Sequence, residues 1–317
     1  MSLAQSDERN GSLYLTALAD EYLDHLEVHV GPHTLAQRRT ILRNIFMPWA
    51  AAADIESLDD LDRRALDRFS RHLQTQPGRK GELLSPVSVE TYCRNLNLFL
   101  GWCKKHAGAD EQLRATAPAA RRRDIEVLTR EEITHLEEAA ANPRDALIIR
   151  LLADTGIREG ELVGLRVRDV VRDEEDYFIR VHGKTGGRTV GISPKLYRRL
   201  IAYIRVAQTP KPDDDAQVFV TLWAGRRGLR SPLTGSGVAQ IVRWAGKRAG
   251  LSKNGRSIYP HLLRHSFATW FLDQGGDGLV LRRDLGHRSM AMIDRVYFNL
   301  AARKRHEKLR ELLRGDR

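Results

Sequence analysis

Between residues 109 and 124 the sequence stops repeating. The stretch ADEQLRATAPAARRRD is rich in Ala, Pro and Arg and has no sustained apolar period. Such a segment offers no continuous face to a core and reads as a linker. It divides a chain of 317 residues into two parts, each long enough to bury a core of its own. Arg121, Arg122 and Arg123 suit a phosphate backbone, and equally a solvated tether.

The first part, residues 12–108, reads as an all-helical bundle. Apolar residues recur at helical spacing in SLYLTALADEYLDHLEVH, TLAQRRTILRNIFMPWA, DDLDRRALDRFSRHLQ and SVETYCRNLNLFLGWCKKH. Gly31-Pro32 and QPGRKGE punctuate these runs, giving four or five helices. Ser85-Pro86 is a helix start, a capping hydroxyl followed by a proline whose fixed φ suits the first turn. Cys93 and Cys103 fall in one helix, about 15 Å apart by its rise, so they cannot bridge and read as small core residues in a reducing compartment.

The second part, residues 125–317, mixes types. TREE from Thr129 makes a capping box with Glu132. DALIIRLLADTG, REGELVGL, PKLYRRLIAYIRVA, GSGVAQIVRWAGKRAG, PHLLRHSFATWFLDQ and the final LAARKRHEKLRELL read as helices. YFIRVHG and RTVGIS alternate as strands about GKTGG, a hairpin, and PKPDDDA reads as a flexible loop. The fold class expected is therefore mainly α with a small β-sheet: an all-α amino-terminal bundle and an α+β second domain.

Charge narrows the partner. Residues 1–108 carry 13 Lys and Arg against 14 Asp and Glu, whereas residues 109–317 carry 39 against 27, so the formal excess of +11 sits in the second part. No apolar run reaches the roughly 20 residues that span a bilayer, and the polar start lacks a signal-peptide core. A cytoplasmic protein without membrane contact is expected, and the polyanion that best suits its basic domain is nucleic acid. No GxxxxGK[ST] stretch is present, and GSGVAQ and GGDGLV fail the dinucleotide pattern at their last position.

Four stretches of the second part hold polar residues that a plain helix or hairpin does not need: TGIREGELVGL around Arg158, HGKTGGR around Lys184, HLLRH with His261 and Arg264, and LGHRSMAMIDRVY with His287 and Tyr297. Each alone has an ordinary explanation. Arg158 suits an exposed helix residue paired with a glutamate, Lys184 a soluble hairpin tip, and Tyr297 a core position on an amphipathic helix. His261 and His265 stand four apart, but Leu262 occupies the place where a zinc-hydrolase helix needs its glutamate and no third ligand is evident, so no metal is expected.

Together, in this order, the four stretches make the second domain resemble the catalytic domain of the tyrosine recombinases, the phage-integrase-type enzymes that include Xer-type resolvases. The likeness runs through TGIREGELVGL at 155–165, Lys184, HLLRHSFAT at 261–269, LGH at 285–287 and Tyr297, and the helical first part is similar in size and type to that family's core-binding domain. The resemblance implies a domain order of core-binding bundle (12–108), linker (109–124) and catalytic domain with a carboxy-terminal helix (125–317). It implies Arg158, Lys184, His261, Arg264 and His287 as supporting residues, Tyr297 as nucleophile and Glu161 as a support behind Arg158. Two departures stand out: ten residues separate His287 from Tyr297, one more than in many members, and Phe-Asn-Leu follows the tyrosine where Thr-His or Ser-His is frequent. Tyr259, two residues before His261, is the other tyrosine in reach, and its place beside Pro260 at a helix start suits packing.

The activity implied is site-specific cutting and rejoining of duplex DNA through a 3′-phosphotyrosine link, with no cofactor, metal or ATP. Two guanidiniums neutralise a five-coordinate phosphorus, His261 takes the tyrosine proton, His287 bonds a nonbridging oxygen, and Lys184 on a mobile hairpin protonates the leaving 5′ oxygen. The partners implied are double-stranded DNA and further copies of the chain, a tetramer on two DNA sites or a dimer on one, with the carboxy-terminal helix docked on a neighbour. Three alternatives share the sequence: a catalytically silent DNA-binding or regulatory relative, a type IB topoisomerase-like relaxing enzyme, and a metal-dependent nuclease or transposase using Asp213, Asp214 and Asp215. The short amino-terminal segment favours the two-domain resolvases or transposon-type enzymes.

Overall fold

The structure, a computed structural model, describes residues 14–77, 81–119, 126–183, 186–207, 214–224 and 230–286. The chain forms two compact units that divide between Arg123 and Asp124.

The amino-terminal unit is helical. Helix α1 (Leu15–His29) buries Leu15, Leu18, Ala19, Tyr22, Leu23 and Leu26, one stripe at helical spacing. α2 (Pro32–Ile41) runs on through one wide π turn, Leu42–Phe46, into α3 (Met47–Ala52). The cause is Pro48, which has no N–H for the regular ladder; just before it the Met47 N–H reaches back five residues to the Leu42 carbonyl. α4 (Arg63–Thr75) starts on Asp62, whose carboxylate accepts from Ala65, and α5 (Pro86–His106) starts on Ser85, whose hydroxyl accepts from Ser88, as its sequence predicts. Their apolar faces meet over Phe46, Phe69, Leu96, Phe99 and Leu100, all fully buried. Cys93 and Cys103 lie free and buried in α5.

The segment expected to be a linker from residue 109 is, through residue 119, laid against this core. Ala109, Leu113 and Ala115 are buried. The Asn97 side chain pairs with Ala115 as a strand neighbour would, donating to its carbonyl at 2.9 Å and accepting from its N–H at 2.8 Å. Small apolar residues at irregular spacing bury well once a side-chain amide satisfies the backbone between them, and hydrophobic periodicity does not register that arrangement.

The carboxy-terminal unit packs its helices around a large apolar core. α6 (Arg130–Glu138) opens on the Thr129–Glu132 capping box. α7 (Pro143–Thr155), capped by Asn142, buries Leu147, Ile148, Ile149, Leu151, Leu152 and Ala153 on nearly every side, which makes it the central helix. After the short α8 (Glu159–Val163) comes an antiparallel sheet of β1 (Val170–Asp173), β2 (Asp176–Gly183) and β3 (Gly186–Gly191), in that order. Gly183 pairs with Gly186, so β2 and β3 form the expected hairpin. Then follow α9 (Pro194–Ala207), the strands β4 (Val220–Ala224) and β5 (Arg230–Pro232), α10 (Gly235–Arg248), the small hairpin β6 (Ser252–Lys253) and β7 (Arg256–Ser257), α11 (Pro260–Asp273) and α12 (Gly278–Leu285). A smaller apolar cluster of Phe267, Ala268, Leu272, Leu281 and Leu285 lies between α11 and α12. The Ser266 hydroxyl of α11 accepts from the Leu128 N–H at 2.9 Å, tying the start of the unit to that helix.

Two expectations change here. Asp214 to Ala216, read as part of a flexible loop, are pinned: the Arg168 and Val167 N–H groups donate to the carbonyls of Asp214 and Ala216, each at 3.0 Å. Strands β1 and β4 to β7 were not expected. β6 and β7 turn through Asn254 and Gly255, both at positive φ, so the Asn-Gly step was a legible hairpin signal.

Candidate active site

Helix α7 ends in a left-handed residue, Gly156, at φ +61°. A Cβ there would lie 2.6 Å from Phe267 Cδ1 and 2.8 Å from Leu285 Cδ2, so only glycine lets α11 and α12 close over the turn. Two residues on, Arg158 is the extended residue that precedes α8, rather than a residue on an exposed helix face. Its N–H donates to Glu161 Oε2 and its Nη1 to Glu161 Oε1, each at 2.8 Å, while Nη2 donates to the Gly286 carbonyl at 2.9 Å.

Arg264 sits one turn into α11 and is buried. Its Nη1 donates to the Gly156 carbonyl at 2.6 Å and its Nη2 to the Leu285 carbonyl at 2.5 Å. A third arginine, Arg188 on β3, donates from Nε to the Asp284 carbonyl and closes a two-pronged pair with Glu161, Nη1 to Oε1 at 2.7 Å and Nη2 to Oε2 at 2.8 Å.

Asp284, Leu285 and Gly286 thus each give their carbonyl to a different arginine. Carbonyls at a helix C-terminus lack partners within the helix and form the negative end of its dipole, so guanidiniums are the natural groups to take them. Gly286, at φ +61°, ends α12 in the left-handed conformation that glycine adopts readily. The three arginines, drawn from the residue before α8, from α11 and from β3, converge because the end of α12 supplies three acceptors in a row.

The electrostatics follow from this packing. Burial alone would raise the Glu161 pKa, but the Arg188 fork, the Arg158 N–H and the Arg158 guanidinium hold it down to about 2. Burial, with Arg158 and then Arg188 close by and Glu161 opposing them, brings Arg264 down to about 9, still fully charged at neutral pH. His261, one helical turn before Arg264, has its pKa lowered, first by desolvation and then by Arg264 and Arg158. The lowered pKa favours the neutral imidazole, the form that can accept a proton.

Of the six residues expected to act, the structure gathers Arg158, His261 and Arg264. Lys184, His287 and Tyr297 lie outside the described residues. The chain nonetheless brackets two of them. Gly183, before Lys184, is so near Glu161 that a Cβ would fall 2.9 Å from its Oε1, and Gly286, before His287, bonds Arg158. Tyr259, expected to pack, is instead an exposed residue at the start of α11. Arg188 was not singled out by sequence; the only signal available was its place four residues after Lys184 on the same hairpin.

The family model of the phage integrase family matches residues 126–304, more than half of the chain. The chain belongs to the phage integrase family. Among curated relatives of this phage integrase family member, the tyrosine recombinase XerA of Pyrococcus horikoshii is 34% identical over 166 residues, 52% of this chain and 53% of the relative. The match therefore spans about half the length of that relative. The tyrosine recombinase XerC of Pseudomonas aeruginosa is 30% identical over 281 residues, 86% of each chain. Among solved structures, the Tn1549 transposon integrase in complex with transposon right-end DNA superposes with a TM-score of 0.69 at 18% identity, covering 94% of this chain and 99% of that one. At that identity the likeness establishes the shared integrase fold.

Proposed function

We propose that this chain is a site-specific DNA recombinase that cuts and rejoins duplex DNA through a 3′-phosphotyrosine intermediate and exchanges strands through a Holliday junction. The observation that carries the reading is the convergence of Arg158 and Arg264 on the Gly286 and Leu285 carbonyls that end α12, with His261 one helical turn before Arg264.

A phosphodiester attacked by an oxygen nucleophile gathers negative charge on its nonbridging oxygens. Preorganised guanidiniums stabilise that charge without having to reorganise at the moment of reaction. Arg158 and Arg264 take this role. His261 accepts the phenolic proton of Tyr297, which is a weak nucleophile while protonated, and the oxygen attacks phosphorus. The 5′ oxygen leaves with a proton from Lys184, and His287 bonds a nonbridging oxygen. A 5′ hydroxyl from a partner duplex then reverses the step, so no ATP, cofactor or metal enters. The basic charge of the second part suits a DNA partner. A tetramer on two sites, in the cytoplasm, is the working assembly, with the carboxy-terminal helix of each copy on its neighbour.

One aspartate of the rival metal reading is engaged elsewhere: Asp215 accepts from Arg166 at 3.1 Å and pairs with Arg168. A nicked suicide duplex carrying candidate sites, run on denaturing gels in excess EDTA, tests the proposal. A protein–DNA adduct with free 5′ hydroxyl ends is expected. No adduct on any site makes the chain a silent DNA-binding relative, and supercoil relaxation without exchange makes it a topoisomerase-like enzyme.

A further inference from the structure

Glu161 poses a charge problem. Its carboxylate is 2% exposed, and a buried carboxylate paired with one arginine forms a neutral couple that has little attraction left for an incoming anion. Yet Arg158, the arginine beside it, is the one that would meet phosphate. The structure places a second guanidinium on the same carboxylate. Arg188 covers both oxygens of Glu161, each of which also takes one Arg158 donor. Within this trio two cations and one anion leave a net positive charge, and the exposures show which cation faces solvent: the Arg188 side chain is 11% exposed and Arg158 34%. Arg188 is the inner cation and Arg158 the outer one. The Arg188 bond to the Asp284 carbonyl locks the inner cation against α12 as well.

We propose that Arg188 is a positioning residue of this site: it neutralises Glu161 from inside, so that Arg158 keeps its charge and its solvent-facing edge for the scissile phosphate. Without Arg188, Glu161 turns wholly to Arg158 and competes with the phosphate for it. The proposal rests on the recombinase reading, and it makes a prediction that a packing role does not. Removing the anion as well as the inner cation returns the charge to Arg158.

The test compares the full chain with Arg188→Met, Glu161→Gln and the double variant, in single-turnover cleavage of the suicide duplex at saturating protein. Arg188→Met is expected to slow cleavage at least about tenfold with DNA affinity little changed, and the double variant to regain at least half of that loss on a logarithmic scale. Arg188→Met cleaving at the parent rate, or a double variant no faster than Arg188→Met, overturns the proposal. Should Arg188→Met not fold by its melting curve, Arg188→Lys replaces it: a rate within about threefold of the parent supports the charge role, and a loss beyond about tenfold overturns it. A parent chain that traps no DNA removes the recombinase reading instead. The present inference is then decided by the melting-temperature rise that inorganic sulfate, a tetrahedral dianion, produces in the same proteins. A rise that is smallest in Arg188→Met and regained in the double variant supports it, and equal rises in all of them overturn it.

Discussion

The guanidinium of Arg264 donates to the carbonyl of Gly156 at 2.6 Å, and through this bond α11 holds the turn that presents Arg158. Its other arm reaches Leu285, so one buried side chain joins the ends of α7 and α12.

Gly156→Ala tests how tightly that turn is closed. The added methyl meets Phe267 and Leu285 within 2.8 Å while the backbone stays at φ +61°, unfavourable for alanine. A loss of about 2–4 kcal/mol in urea unfolding is expected, overpacking and backbone strain acting together. Stability within about 0.5 kcal/mol of the parent would mean that the turn yields, a change typical of an unconstrained surface site.

Arg264→Ala is expected to lower the cleavage rate by about 10²–10³, the usual cost of removing one preorganised donor at a developing oxyanion. DNA affinity, spread over many phosphates, should fall far less. A filter-binding curve beside the single-turnover rate separates the two; equal losses in both would remove the transition-state role.

Tyr297→Phe should bind DNA and form no covalent adduct, whereas Tyr259→Phe should form it in full. Tyr259 is the comparison because it is exposed at the head of α11, near His261. Adduct yields on one gel decide between them, and an undiminished yield in Tyr297→Phe moves the nucleophile elsewhere.

Two pH windows follow from the charges. His261 has a folded pKa below its ordinary 6.5, so cleavage should be flat near neutrality and fall only as pH drops through that lowered value, where the base gains a proton. His261→Ala should lower the plateau and erase the acid limb. Glu161 is depressed from 4.5 to about 2. The stability it contributes is present above pH 4.5 and is lost as pH falls through 2, on the order of 3 kcal/mol in all. Glu161→Gln should therefore be less stable than the parent at neutral pH, with the gap closing across that window. A gap independent of pH would contradict the ion-pair account.

Deleting residues 304–317 should abolish recombination between two sites and leave single-site DNA binding largely intact, if this segment docks on a neighbouring protomer. Mobility-shift and recombination assays on one preparation report both, and equal loss of both rejects the docking role.

Much of the fold was legible because it rests on periodicity and local chemistry. The bounds of α9 match the apolar run that predicts it, Thr129 and Ser85 cap the helices they precede, and Gly286 ends α12 where a left-handed glycine should. Short strands such as β1 and β4 were missed because four or five residues are too few to show an alternating period until a partner strand is present. Residues 109–119 were misread because their burial depends on Asn97 rather than on a repeat.

By itself the sequence determined which residue types were available for phosphate chemistry, and in what order, because side-chain chemistry and motif spacing are local properties of the chain. Only the tertiary structure decided that Arg158, Arg264 and Arg188 each take one of three successive carbonyls at the end of α12, and that Glu161 lies between two of them. Those contacts join residues up to 128 positions apart. They exist because a helix terminus leaves acceptors unpaired and burial makes an unbalanced charge costly, and no reading of neighbouring residues contains either condition.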